Sequence, residues 1–171
     1  MKKTVIIQAS SKSNGNTNRV INYLNNNKSF DVIDLKTKNI GVFEYDFSNA
    51  NDDFIPVMEK VINNYDTIVF ATPVYWYTMS ATLKIFFDRL SDLLKYKKEL
   101  GRLLRGKNMA VISNSGHNDL KNGFEMPFIE SANYLGMNYL GSIHSWLTED
   151  GENIHPEAMD KIDSFRTILT Q

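Results

Sequence analysis

Residues 4–17 read TVIIQASSKSNGNT, and the change of character at residue 10 decides how the chain folds. Thr4–Ala9 is a β-branched, apolar run, the composition of a buried strand. Ser10–Asn16 is polar and contains Gly15, which allows a tight turn. Beyond it, Thr17, Val20, Ile21 and Leu24 fall on one helical face. A strand that passes through a short polar turn into a helix is the first half of a parallel crossover unit.

The alternation continues outward from this stretch. Phe30–Leu35 reads as a second short strand, and Lys36–Asn51 lacks a clear period and reads as an irregular connection. A helix begins near Asp52 or Asp53 as N-cap, with Pro56 tolerated in its first turn and Phe54, Val57, Met58, Val61 and Ile62 facing inward. Thr67–Ala71 (TIVFA) is apolar throughout, as a strand covered on both faces must be. From Ser80, the residues Leu83, Phe86, Phe87, Leu90, Leu93 and Leu94 mark a long amphipathic helix. Gly106 closes a basic connector before the strand Asn108–Ser113. Gly123–Gly136 holds a helix whose start Pro127 obscures, Tyr139–Trp146 is a fifth strand, and His155–Leu169 is a closing helix with Pro156 at its first position. Five strands alternating with five helices predict an α/β fold, a parallel sheet with helices on both faces. Right-handed crossovers leave the strand order 2-1-3-4-5 as one of two common outcomes. Residues 1–171 are expected to form one domain.

Composition narrows the functional classes. Of 171 residues, 42% are hydrophobic, enough for an ordinary core without staples. Nineteen basic residues face twenty acidic ones, a net charge of −1 that argues against a nucleic-acid footprint and against a basic membrane face. With no cysteine, disulfides, thiolate nucleophiles and Cys-ligated metals are excluded. The charged start MKKTVIIQAS carries too short an apolar run for a secretion signal, and no run approaches the roughly 20 residues of a membrane span, so a cytoplasmic location is expected. No metal-ligand spacing occurs.

Ligands of such sheets bind beyond the carboxyl ends of the strands, where the strand order reverses. Three segments therefore matter. In Ser10–Thr17, the amides at a helix start and the helix dipole favour an anion. Ser10, Ser11, Ser13 and Thr17 offer hydroxyls, Asn14 and Asn16 offer amides, Lys12 adds charge, and Gly15 permits the turn. A loop of this composition also serves simply as a hydrated N-cap. It lacks the Gly-Lys-Ser/Thr close of a nucleotide-triphosphate loop and the glycine spacing of a dinucleotide grip, which leaves a phosphate monoester. In Thr72–Met79 (TPVYWYTM), Pro73 stiffens the exit from the sheet, and Tyr75, Trp76 and Tyr77 offer either a stacking platform for a flat ligand or a protein interface. In Asn114–Asp119 (NSGHND), Ser115 and Gly116 suit a ligand's polar edge. His117 is a lone histidine without a chemical partner in the sequence, and His144 and His155 read as structural or exposed. A phosphate at one end and a flat ring at the other is the outline of FMN.

TPVYWYTMSATLKIFFDR (residues 72–89) resembles the signature of flavodoxin-like NAD(P)H-dependent FMN reductases and quinone reductases, and SSKSNGNT resembles that family's phosphate loop. The resemblance covers residues 4 to about 146. It implies a flavodoxin-like three-layer sandwich holding FMN non-covalently, with NADPH or NADH as electron donor, a small-molecule acceptor such as a quinone or flavin, and a homodimer. Carried over by position, Ser10, Lys12, Asn14, Gly15, Asn16 and Thr17 would hold the phosphate. Pro73, Val74, Tyr75 and Trp76 would line the ring, with Ser115, Gly116 and His117 beside it. Lys84, Asp88 and Arg89 match the signature on a helix, as structural or subunit-contact residues. Tyr77 stands where relatives often carry a small residue. The cofactor does the difficult chemistry in such enzymes, so no catalytic side chain is expected. The alternative is a flavodoxin-type electron carrier, whose usual strong acidity the charge of −1 does not match. A receiver module is disfavoured, since Gln8, Ala9, Ser10 and Thr72 stand where it needs carboxylates. A flavin-free binding protein on the same fold is a further alternative.

Overall fold

The alternation of side chains along the central strands builds two separate cores. In the computed structural model, which describes residues 3–170, Val5 and Ile7 of β1 (Thr4–Gln8) point to one face of the sheet and Ile6 to the other. Ile68 and Phe70 of β3 (Thr67–Tyr75) join the first face with Met109 and Val111 of β5 (Asn108–Ser115), while Val69, Ala71, Ala110 and Ile112 join the second. The first face is covered by α2 (Phe54–Asn64), α3 (Ala81–Lys95) and α5 (Met126–Leu135). The second is covered by α1 (Asn16–Leu24) and α6 (Pro156–Leu169). With β2 (Asp31–Asp34) and β6 (Asn138–Trp146) outermost, the parallel order is β2-β1-β3-β5-β6. Met1, Lys2 and Gln171, which the expected domain range includes, lie outside the described residues.

Four local expectations are corrected. Among the described residues, the sheet has six strands rather than five, because β4 (Thr78–Met79) folds back antiparallel on the end of β3. Setting β4 aside leaves the expected order. The third strand does not end at Ala71. It continues through Pro73 to Tyr75, still in register with Ser113 and Asn114 of β5. Pro73 is tolerated there because β1 pairs only as far as Gln8 with Ala71, so β3 is no longer flanked by β1 and a missing N–H leaves no gap in that ladder. The second strand stops at Asp34, whose carboxylate accepts from the Lys36 amide and starts a 3-10 turn over Leu35–Thr37. Finally, the basic connector contains a short helix, α4 (Lys98–Arg102), with Gly101 packed against the Leu93 backbone.

A buried cation fixes the irregular connection. Arg89 of α3 is 1% exposed, and its guanidinium binds Asp92 on the same helix, Asp52, and the carbonyls of Gly41 and Asn49. It also lies over the Phe54 ring. Residues 41–52 lack a repeating pattern because this hub, rather than a secondary-structure ladder, holds them. Among the described residues, no helix is long and apolar enough to cross a membrane.

Candidate functional site

The first loop is braced from below by a buried glutamine. Gln8 donates through its amide to the Ser13 carbonyl (2.8 Å) and accepts from the Asn18 side chain (3.2 Å). The loop therefore arrives at Gly15, the N-cap of α1, in a fixed path. Gly15 supplies no side-chain cap, so the first-turn amides of α1 remain for a ligand or water. A Cβ at Gly15 would approach the Lys12 Cβ to 3.3 Å, so a larger residue would press the loop outward. Ser10 is buried at the loop base. Thr17, also buried, donates its hydroxyl to Asn114 Oδ1 at 2.7 Å and so ties the start of α1 to the end of β5.

The second segment reaches across from β3. Ser80, the N-cap of α3, donates its hydroxyl to the Ala9 carbonyl (2.6 Å), accepts from the Leu83 amide, and gives its own N–H to Thr72 Oγ1. These bonds lock the β3–β4 hairpin over the end of β1. Val74 and Tyr75 then stand opposite the first loop, and the Tyr75 hydroxyl meets Ser11 Oγ at 3.3 Å. Between them lies a cavity of about 350 Å³. Its first-loop side is Ser10, Ser11, Lys12, Gly15, Asn16 and Thr17. Its flat side is Pro73, Val74 and Tyr75, and its floor is Asn114, Ser115 and Gly116. Among the described residues, hydroxyls, amides and one ammonium line it, and no carboxylate does, so the site attracts an anion.

The third segment is held by a histidine that read as structural or exposed. His144 of β6 is buried, and its Nε2 lies 3.2 Å from the His117 carbonyl. A carbonyl only accepts, so Nε2 carries the proton and Nδ1 accepts from Ser113 Oγ at 2.9 Å. Ser115 donates to the same His117 carbonyl at 2.6 Å and lies 3.1 Å from Nε2. Burial pushes the His144 pKa down, against the smaller opposing effect of the His117 carbonyl. The ring is thus a neutral strut under the third loop.

Most of the residues carried over from the family resemblance converge on this cavity, and three do not; Ser13, offered as a hydroxyl by sequence, also stays out of the lining. Asn14 and His117 are exposed and absent from its lining, and Trp76 lines a neighbouring cavity with Tyr77. Ser11, a hydroxyl donor by sequence, and Asn114 also line the first cavity, although the family resemblance carries neither over as a cofactor contact. Both lie inside the motif strings, but only the register of β5 on β3 shows that Asn114 faces the loop. Lys84 pairs with Asp88 on the surface of α3, away from the cavity.

A family model described as NADPH-dependent FMN reductase matches residues 2–151. The Bacillus subtilis (strain 168) protein YwqN, which carries the name of an NAD(P)H-dependent FMN-containing oxidoreductase, is 30% identical over 101 residues. That alignment covers 57% of this chain and 55% of YwqN, so the chain matches about half the relative's length. Among solved structures, the Trp repressor binding protein from Bacillus subtilis superposes with a TM-score of 0.74 at 23% identity, over 94% of this chain and 95% of that one. An NADPH-quinone reductase from P. pentosaceus superposes with a TM-score of 0.68 at 19% identity, over 96% and 97%. These similarities establish the shared fold.

Proposed function

The chain belongs to the NADPH-dependent FMN reductase family, and from that premise we propose that it holds FMN and passes electrons from NADPH or NADH to a small acceptor such as a quinone or a flavin. The observation that carries this reading is the cavity between the first loop and the β3–β4 hairpin. It sets an uncapped helix start, hydroxyls and Lys12 at one end and a flat Pro73–Val74–Tyr75 wall at the other, with no carboxylate between them. A phosphate monoester attached to a planar ring fits that donor set.

Ser10, Ser11, Lys12, Gly15, Asn16 and Thr17 bind the phosphate, and Asn14 extends the same loop. Pro73, Val74 and Tyr75 carry the ring, and Asn114, Ser115 and Gly116 meet its polar edge, next to His117. Bound FMN supplies the hydride and electron chemistry. The side chains bind, orient and exclude water, and none of them acts as acid, base or nucleophile. Trp76 belongs to the adjoining cavity. Residues 1–171 act as one flavodoxin-like domain, working as a homodimer in the cytoplasm.

The test is anaerobic mixing of the FMN-loaded chain with NADPH and with NADH. Bleaching of the flavin absorbance by either supports the reductase. A flavin that binds and stays yellow with both refutes it in favour of an electron carrier.

A further inference from the structure

A second cavity, of about 220 Å³, adjoins the first, and Val74 and Ser115 line both. One side of it is the hairpin tip, Trp76 and Tyr77, and the other carries Asp119, Lys121 and His144. The tip is built against its own turn chemistry. Tyr75 pairs with Thr78, so Trp76 and Tyr77 are the whole of a two-residue hairpin loop, and both have positive φ, 49° and 66°. Loops of that kind favour Asn-Gly or Gly-Gly, because a bulky side chain at positive φ crowds its own backbone. Core burial does not compensate, since Trp76 is 91% and Tyr77 63% exposed. Strain of this sort concentrates at ligand clamps.

We propose that the second cavity receives the planar ring of the electron acceptor, and that Tyr77, held at positive φ by the hairpin, is the wall that selects for such a ring. The inference rests on the reductase reading above and adds which residues of this chain take the acceptor: its planar ring meets Tyr77, with a polar substituent turned toward Asp119 and Lys121. The ring stacks on Tyr77 while Val74 and Ser115 keep it next to the first cavity.

The experiment uses Tyr77→Gly and Tyr77→Phe in the full chain loaded with FMN. Tyr77→Gly is expected to melt about 2–4 °C higher as the turn relaxes, with unchanged FMN affinity. Its KM for 2-methyl-1,4-naphthoquinone rises about fivefold through loss of one stacking contact, while Tyr77→Phe stays near the parent value. Calorimetric titration with 2-naphthoate, which accepts no electrons here, shows a matching loss of affinity without turnover. Unchanged KM and unchanged naphthoate affinity in Tyr77→Gly overturn the proposal. So does a variant that only loses self-association, which assigns Tyr77 to a subunit contact. Failure of the underlying reading looks different: a parent chain that takes up no FMN, or whose FMN is not bleached by NAD(P)H, refutes the reductase. The naphthoate titration on the flavin-free chain then decides the cavity by itself.

Discussion

Replacing Arg89 by methionine removes the cation from a site that holds two carboxylates. The guanidinium reaches Asp92 Oδ2 through Nε at 2.8 Å and Asp52 Oδ1 through Nη2 at 3.2 Å, and it caps the Gly41 and Asn49 carbonyls, each at 3.1 Å. Asp92 is 3% exposed and Asp52 9% by side chain, so water cannot replace the lost partner. Breaking a buried pair from one side costs about 3–5 kcal/mol. At about 2–4 °C per kcal/mol for a chain of this size, melting falls by roughly 6–20 °C. Methionine keeps an apolar stem against Phe54, which separates the lost charge from lost packing. The pH dependence supplies an internal check. Burial raises the Asp52 pKa, but the bonds from Arg89 and from the Phe54 and Gly41 amides outweigh it and hold the carboxyl below its ordinary value. The parent's stabilisation is therefore present above the unfolded carboxylate pKa of about 3.9 and is lost as pH falls through the lower folded value. Without the cation, only the Phe54 and Gly41 amides oppose the burial of Asp52, so its pKa rises and the variant loses stability as pH rises. Urea unfolding of both proteins from pH 4 to pH 7 should show the gap widening toward neutrality. A loss under about 1 kcal/mol at pH 7, or a gap independent of pH, would refute the hub.

Three further outcomes are expected. Thr17→Ala removes the bond to Asn114 and should weaken FMN binding about 3–10-fold, with activity returning in excess FMN; flavin fluorescence titration measures it, and an unchanged Kd counts against the phosphate assignment. His144 is kept neutral by burial, so the unfolded chain binds more protons between the lowered folded pKa and about 6.5. Stability therefore falls as pH drops through that window, and His144→Gln should flatten the curve in thermal melts from pH 5 to pH 7. Gly101→Ala would set a Cβ 2.2 Å from the Leu93 carbonyl oxygen and should cost about 1–3 kcal/mol by urea titration, while leaving FMN affinity intact.

The sequence by itself determined the alternation, the parallel sheet and the three segments that meet at its carboxyl edge. Those features rest on local signals: the apolar run of Thr67–Ala71, the helical spacing of Thr17, Val20, Ile21 and Leu24, and the break in pattern at Ser10. Even the buried polar residues Thr17 and Ser10 were identified as binding candidates, because they fall inside a motif. What local pattern does not carry is a partner far along the chain. Only the tertiary structure extends β3 through Pro73 to Tyr75, because only there does β5 lie alongside it while β1 has ended. Arg89 matches a signature on an amphipathic helix, but that its partner is Asp52, 37 residues earlier, is decided only by the fold. His144, which by sequence reads only as structural or exposed, becomes the strut of the third loop once β6 lies against β5 and brings it to Ser113, Ser115 and the His117 carbonyl. A periodic face is written in neighbouring residues, whereas a charge hub or a bonded imidazole exists only where separate strands and helices converge.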